Sequence, residues 1–313
     1  MIKKTLYFGN PAYLSLRNCQ LVVRLPEVEK NADLSLIYKK ESVATFAVED
    51  IGVVILDHKQ ITITQGLLEH LLSNNVALVT CDSQRMPIGL MLPLDGNVVQ
   101  NERFRAQLEA TEPLKKNLWQ QTVKAKIMNQ AEVLKRNRLC NTKNMEYWAD
   151  SVKSGDPDNY EARAAAYYWS EAFPDIEDFR RTREGIPPNN LLNYGYAILR
   201  AIVARSIVGA GLLPTLGIFH SNRYNAYCLA DDIMEPYRPF VDSLVFNIVD
   251  KHRDVSELTR DLKASLLTLP TLDVIINKRK SPLMIALEQT ASSLRQCFEG
   301  KLRRIKYPTF QEI

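Results

Sequence analysis

Apolar and polar positions alternate through the first 92 residues. Short runs rich in Val, Ile, Leu and Tyr at 5–8, 13–16, 20–25, 36–38 and 51–56 are separated by turn residues, the pattern of β-strands. Residues 43–48 alternate less cleanly. Leucines at helical spacing across 64–72 predict one short amphipathic helix, and strand character returns at 76–80 and 88–92. Many short strands around one helix predict a small β-rich domain, a β-sandwich, covering residues 1–97.

From about residue 101 the period lengthens. Residues 103–137 read as helix, broken once near Pro113, and 160–173 as another, after a Ser, Gly, Asp and Pro loop at 154–159. Residues 176–190 are a charged loop. Residues 191–209 are apolar nearly throughout, yet Asn193 and Arg200 and Arg205 interrupt them, so a buried helix is expected and not a membrane span. Helical runs at 255–267 and 283–302 complete a larger, essentially all-helical part, residues 98–313, and no internal repeat is visible. The fold class is therefore α+β.

The segment 217–239 mixes apolar and ionisable positions in a way that calls for chemistry. It opens with His220, one of only four histidines, and continues as a helical run expected to end at Pro236. On such a helix Asn225, Asp232 and Glu235 share one side, while most other positions are apolar or aromatic. Buried carboxylates are costly unless a cation pairs with them. A divalent metal with His220 as a further ligand is one solution. Glu161, on an alanine-rich helix backed by Tyr167, Tyr168 and Trp169, is a further candidate donor, against a local pairing with Arg163 or Lys153. One imidazole and carboxylates from different helices form a hard donor set suited to Mg²⁺ or Mn²⁺. Zinc suits it less, because no thiolate lies near in the pattern. A satisfied core histidine and a surface Asp232/Glu235 pair with Arg238 are the plain structural alternatives.

Charge sharpens the partner class. The chain carries 40 Lys+Arg against 36 Asp+Glu, but residues 1–95 hold 9 against 10, so the +5 excess lies in the helical part. An acidic partner such as DNA would sit there, with residues 100–140, 180–183, 278–280 and 301–306 as candidate phosphate contacts. Five widely spaced cysteines show no metal or redox spacing and read as reduced thiols of a cytosolic protein. Gly209-Ala210-Gly211 lacks the surroundings of a phosphate loop, and no serine nucleophile elbow is present, which disfavours a metal-free hydrolase.

Longer ordered motifs carry a resemblance. Asn190-Leu191-Leu192-Asn193-Tyr194-Gly195-Tyr196-Ala197-Ile198-Leu199 resembles the central signature of the CRISPR-associated integrase family, the endonuclease subunit of spacer acquisition. The His220 segment with Glu235-Pro236-Tyr237-Arg238-Pro239 is similar to the form accompanying type II systems. Residues 48–56, 65–68, 81–83 and 87–89 resemble the family's N-terminal domain. The resemblance implies that Glu161, His220 and Glu235 are the metal ligands and the catalytic residues, with Asp232 the alternative ligand or a partner behind them. It also implies a β-rich dimerisation domain, a helical catalytic domain and a bacterial cytoplasmic location. Its partners would be double-stranded DNA, a second copy of the chain, the small ferredoxin-like acquisition subunit and further type II acquisition factors, with no membrane. The activity implied is insertion of short DNA duplexes into a repeat array. A structure-selective nuclease that joins nothing, and a non-catalytic DNA-binding scaffold, are the rival readings.

Overall fold

A computed structural model describes residues 3–31, 35, 37, 39, 42–252 and 254–310, which fall into two compact units, Met1–Gly96 and Asn97–Ile313. The first is β-rich and the second mostly helical.

In the first unit, β1 (Lys4–Phe8), β5 (Ile51–Leu56), β7 (Ala77–Cys81) and β8 (Pro87–Met91) form a sheet in that order, parallel except for antiparallel β8. A second sheet has the order β4 (Ala44–Ala47), β3 (Gln20–Arg24), β2 (Ala12–Arg17), β6 (Ile61–Ile63), with only the β2–β6 pair parallel. Helices of this unit include α1 (Pro26–Lys30) and α2 (Gln65–Ser73). Ile-Gly-Val-Val-Ile of β5 is wholly buried, as a parallel strand between two neighbours requires. Leu14, Leu21 and Val23 of one sheet, Ile51, Val54 and Leu78 of the other, and Leu67 and Leu71 of α2 share one core. The strand expected at 36–38 lies outside the described residues except for Ile37, which is helical and not extended. Strand β6 escaped the sequence pattern because Ile-Thr-Ile is too short to show a period.

The second unit is built from α3 (Gln100–Leu108), α4 (Glu112–Asn137), α5 (Lys143–Ser151), α6 (Tyr160–Ala172), α7 (Asn189–Gly209), α8 (Cys228–Met234), α9 (Arg238–Lys251), α10 (Arg260–Leu266) and α11 (Leu283–Phe298). One hairpin interrupts it, β9 (Asp273–Ile276) with β10 (Arg279–Pro282), turning through Asn277 and Lys278 at φ 51° and 60°. The break expected near Pro113 falls at residues 109–111, between α3 and α4, and Pro113 itself does not interrupt a helix. It sits in the first turn of α4, where its missing N–H is harmless, and Thr111 caps that turn by accepting from the Leu114 N–H at 3.4 Å.

Helix α7 is the axis of this unit. Its most apolar 18-residue window is 83% buried inside the protein. Its arginines are both partnered: Arg200 clasps Asp231 at 2.7 and 3.1 Å, and the almost fully buried Arg205 reaches Glu288 at 3.1 Å. Gly195 faces α9 so closely that a Cβ there would lie 2.5 Å from Cγ1 of Val241.

Candidate active site

The segment after His220 is less helical than its sequence suggests. Residues 221–227 form turns, and helix begins only at Cys228. As expected, the α-helix stops before Pro236, at Met234, and Glu235–Tyr237 form a single 3₁₀ turn that leads directly into α9, with Pro236 and Pro239 each in a first turn. Asn225 therefore leaves the helical stripe and donates to Asp231 at 2.7 Å instead.

Asp232 is fully buried and acts as the hub of the His220 loop. Its carboxylate accepts the backbone N–H groups of Ile218, Phe219 and His220 at 2.7, 3.0 and 3.3 Å, and faces Nδ1 of His220 at 2.5 Å. The loop can wrap this tightly because residue 217 is glycine: a Cβ would lie 2.3 Å from the His220 carbonyl oxygen and 2.7 Å from Oδ2 of Asp232. Trp119 of α4, itself stacked on Phe219, meets the imidazole edge-on. With Nδ1 committed to Asp232, Nε2 is the nitrogen left for a ligand. The hydrogen bond to Asp232 raises the His220 pKa, and Glu235 and Glu161 add to that rise. Burial pushes Asp232 up, against the pull of the His220 side chain and backbone N–H groups.

Glu161 and Glu235 converge from different elements on one cation, and that cation is a side chain. The ammonium of Lys126, on α4, lies 2.7 Å from Oε1 of Glu161 and 2.6 Å from Oε2 of Glu235. Arg238 holds the other Glu235 oxygen at 2.8 Å. Oε2 of Glu235 is buried and faces the Lys126 ammonium as its cationic neighbour. Burial works against ionisation of Glu235, yet Arg238 and Lys126 prevail and hold its carboxyl down at about 2. Glu161 is placed by Asp156, whose oxygens accept the N–H groups of Tyr160 and Glu161 at 3.0 and 2.9 Å and so cap α6. The local alternative for Glu161 does not form: Lys153 pairs with Asp158 at 3.0 Å, and Arg163 lies over the ring of Tyr160.

Around this point are two clefts. One, of about 340 Å³, opens beside Gly217, His220, Ser221 and Arg223. The other, of about 160 Å³, ends on Lys126, Gln130, Glu235, Arg238 and Arg181. At its floor Asp242 is buried between the hydroxyls of Tyr168, which donates at 2.9 Å, and Tyr196, and burial pushes its carboxyl up to about 6. The guanidiniums of Arg181 and Arg238 lie over the Tyr196 ring at 5.1 and 4.6 Å.

The donor set suits a hard divalent cation. Two carboxylates from different elements already share one positive charge, and an imidazole nitrogen is oriented from behind. Among the described residues, no three His, Cys, Asp or Glu side chains lie close enough together to hold a metal ion, and Lys126 stands between the two glutamates. Sequence reasoning missed Lys126 and Asp156. The spacing of Trp119, Val123, Lys126 and Gln130 by three or four was the available sign that Lys126 lies on the inward face of α4.

Residues 10–278 match the family model described as CRISPR associated protein Cas1. The CRISPR-associated endonuclease Cas1 of Neisseria meningitidis serogroup C (strain 8013) is 35% identical over 311 residues, spanning 98% of this chain and 96% of that protein. Among solved structures, a casposase bound to integration product superposes with a TM-score of 0.75 at 19% identity, covering 96% of this chain and 92% of that one. A chain of a Cas6-RT-Cas1–Cas2 complex gives 0.71 at 22% identity, with 96% of this chain covering 35% of that one. Both share the fold described above.

Proposed function

The chain belongs to the Cas1 family of CRISPR-associated proteins, and on that premise we propose that it is a divalent-metal-dependent DNA endonuclease and integrase of CRISPR adaptation. The observation that carries this reading is the convergence of Glu161 and Glu235 on a single cation beside an imidazole held by Asp232. Glu161, Glu235 and Nε2 of His220 would hold Mg²⁺ or Mn²⁺. When bound, that ion supplies Lewis acidity, polarising a phosphoryl oxygen and offsetting charge on the leaving oxygen.

The reaction exchanges one phosphodiester for another. The 3′-oxygen of an incoming strand bonds to phosphorus at the border of the repeat. The bond from phosphorus to the 3′-oxygen of the cut strand breaks, and the proton lost by the nucleophile ends on that leaving oxygen. In this reading Asp232 keeps the His220 ring turned, and Arg238 and Arg181 line the cleft where phosphate charge must be neutralised. A second copy of the chain, dimerising through the β-rich unit, and a small ferredoxin-like acquisition subunit complete the assembly in the bacterial cytoplasm. The Cas1–Cas2 complex among the structural neighbours supports such a partner.

Glu161→Ala, His220→Ala and Glu235→Ala should each reduce joining of a labelled short duplex into a repeat-bearing supercoiled plasmid by about 100-fold. The assay contains Mg²⁺ or Mn²⁺ and the small partner. Wild-type joining by all three variants would remove this site from the reaction. Cut plasmid without joined product from the unaltered chain would make it a nuclease.

A further inference from the structure

Lys126 is a long, flexible cation in a place where lysine rarely sits. Only 8% of it is exposed, and lysine is buried almost only when paired. Its two partners are the carboxylates assigned above to the metal, and it touches both. Together Glu161, Glu235, Lys126 and Arg238 sum to zero charge, so two carboxylates can lie close together without a metal. Arg238 cannot take over the central place, since its guanidinium is committed to the opposite oxygen of Glu235 and to the face of Tyr196. Lys126 also lines the cleft bounded by Gln130, Arg181 and Arg238, so its unbranched stem has somewhere to go. Two cations cannot share one site a few ångströms wide, because their repulsion there is strong and poorly screened.

We propose that Lys126 is a displaceable internal counter-cation: its ammonium holds the space between Glu161 and Glu235, and an entering divalent cation expels it into the cleft beside Arg181 and Arg238. There it adds a third positive charge facing a DNA phosphate. The same side chain thus stabilises the metal-free fold, lowers affinity for the metal, and recruits the substrate's charge only once the metal is in place. This inference rests on the assignment of Glu161 and Glu235 to the metal. The competing account is a static ion triad that only supports the fold, which apolar replacement often tolerates.

Two measurements on the full chain decide it. In the first, Mn²⁺ is titrated calorimetrically into the wild type, Lys126→Met and Glu161→Ala. Lys126→Met is expected to bind Mn²⁺ about tenfold more tightly than wild type, the scale on which groups touching metal ligands act. Its metal-free melting temperature should also fall below that of wild type. Equal or weaker Mn²⁺ binding by a folded Lys126→Met, with binding lost in Glu161→Ala, overturns the counter-cation while leaving the metal site intact. Mn²⁺ binding that is absent from wild type, or unaltered in Glu161→Ala, removes the metal assignment itself. The second needs no variant at Lys126: an amine-reactive label on the wild type is read by mass spectrometry. Labelling of Lys126 should rise several-fold on adding Mg²⁺, and should not rise in Glu161→Ala. Labelling that stays constant while the metal binds would show that the ammonium never leaves, and would end the proposal even if Lys126→Met fails to fold.

Discussion

Glu235 and Asp242 are both buried, yet their surroundings drive them in opposite directions. Glu235 is faced by Arg238 and Lys126 and held down at about 2, whereas Asp242 meets only phenol hydroxyls at hydrogen-bond distance and rises to about 6. A depressed carboxyl contributes stability that is present above its unfolded pKa of 4.5 and is lost as pH falls towards 2. A raised one binds its proton more tightly when folded, so stability declines as pH climbs from 3.8 to about 6. Each effect is worth about 3 kcal/mol at about 1.4 kcal/mol per pKa unit. Urea unfolding as a function of pH should show both. Glu235→Gln should flatten the rise between pH 2 and 4.5, and Asp242→Asn the decline between pH 4 and 6. An unchanged profile in either variant would contradict the charge environment described for it. At this scale the sequence singled out His220, Glu161 and Glu235 as ionisable groups set in apolar stretches, and the structure brings the two glutamates onto Lys126. The sequence left Asp232 open between a ligand and a partner behind the ligands, because the role of orienting His220 depends on a loop whose N–H groups all turn towards one carboxylate.

Helices α7 and α9 approach as closely as glycine allows. Replacing Gly195 by alanine would improve helix propensity by about 1 kcal/mol, but its methyl carbon would lie 2.5 Å from Val241, whose side chain is fully buried. Overpacking of this kind costs about 1–3 kcal/mol, so Gly195→Ala should lower the melting temperature, and Gly195→Ala with Val241→Ala should recover part of the loss. A melting temperature above wild type for the single variant would show that the two helices move apart without penalty. Helix α4 teaches the complementary lesson. Its period and length were readable, but its charges were read together as candidate contacts to DNA, whereas Lys126 among them points into the site. Composition counts charges without recording which face of the helix they occupy.

At the scale of the whole helical unit, residues 303–310 fold back across elements distant in sequence. Gln121 accepts from the Ile305 N–H at 2.9 Å and donates to the Arg303 carbonyl at 3.0 Å, and Tyr307 meets Thr122 at 2.8 Å. Asn129 donates to the carbonyls of both Pro236 and Pro308, at 2.7 and 3.1 Å, and so ties this segment to the turn that carries Glu235. Phe310 stacks on Phe240 with ring centroids 4.1 Å apart. Ending the chain after Gly300 would take one of its two acceptor carbonyls from the buried Asn129 and expose apolar surface, so urea unfolding should report a loss of about 3 kcal/mol or more. Mn²⁺ affinity should fall as well, because the Asn129 amide that holds the Glu235 turn is no longer fixed from its other side by Pro308. Unaltered stability and metal binding would show the segment to be an ornament.

What the sequence determined by itself is periodic or local. The change from strand to helix spacing near residue 100, the apolar length of α7 and the ionisable groups set among apolar neighbours all survive without knowledge of the fold, because each is written within a few turns of chain. Only the tertiary structure decided the counter-charges. Lys126 and Glu161 are 35 residues apart, and Gln121 and Ile305 are 184 apart, yet each pair meets within 3 Å. Burial makes an unpaired charge or amide costly, so the chain must find partners, but it can find them anywhere that packing brings an inward face. That is why the carboxylates were visible in the sequence and the ammonium between them was not.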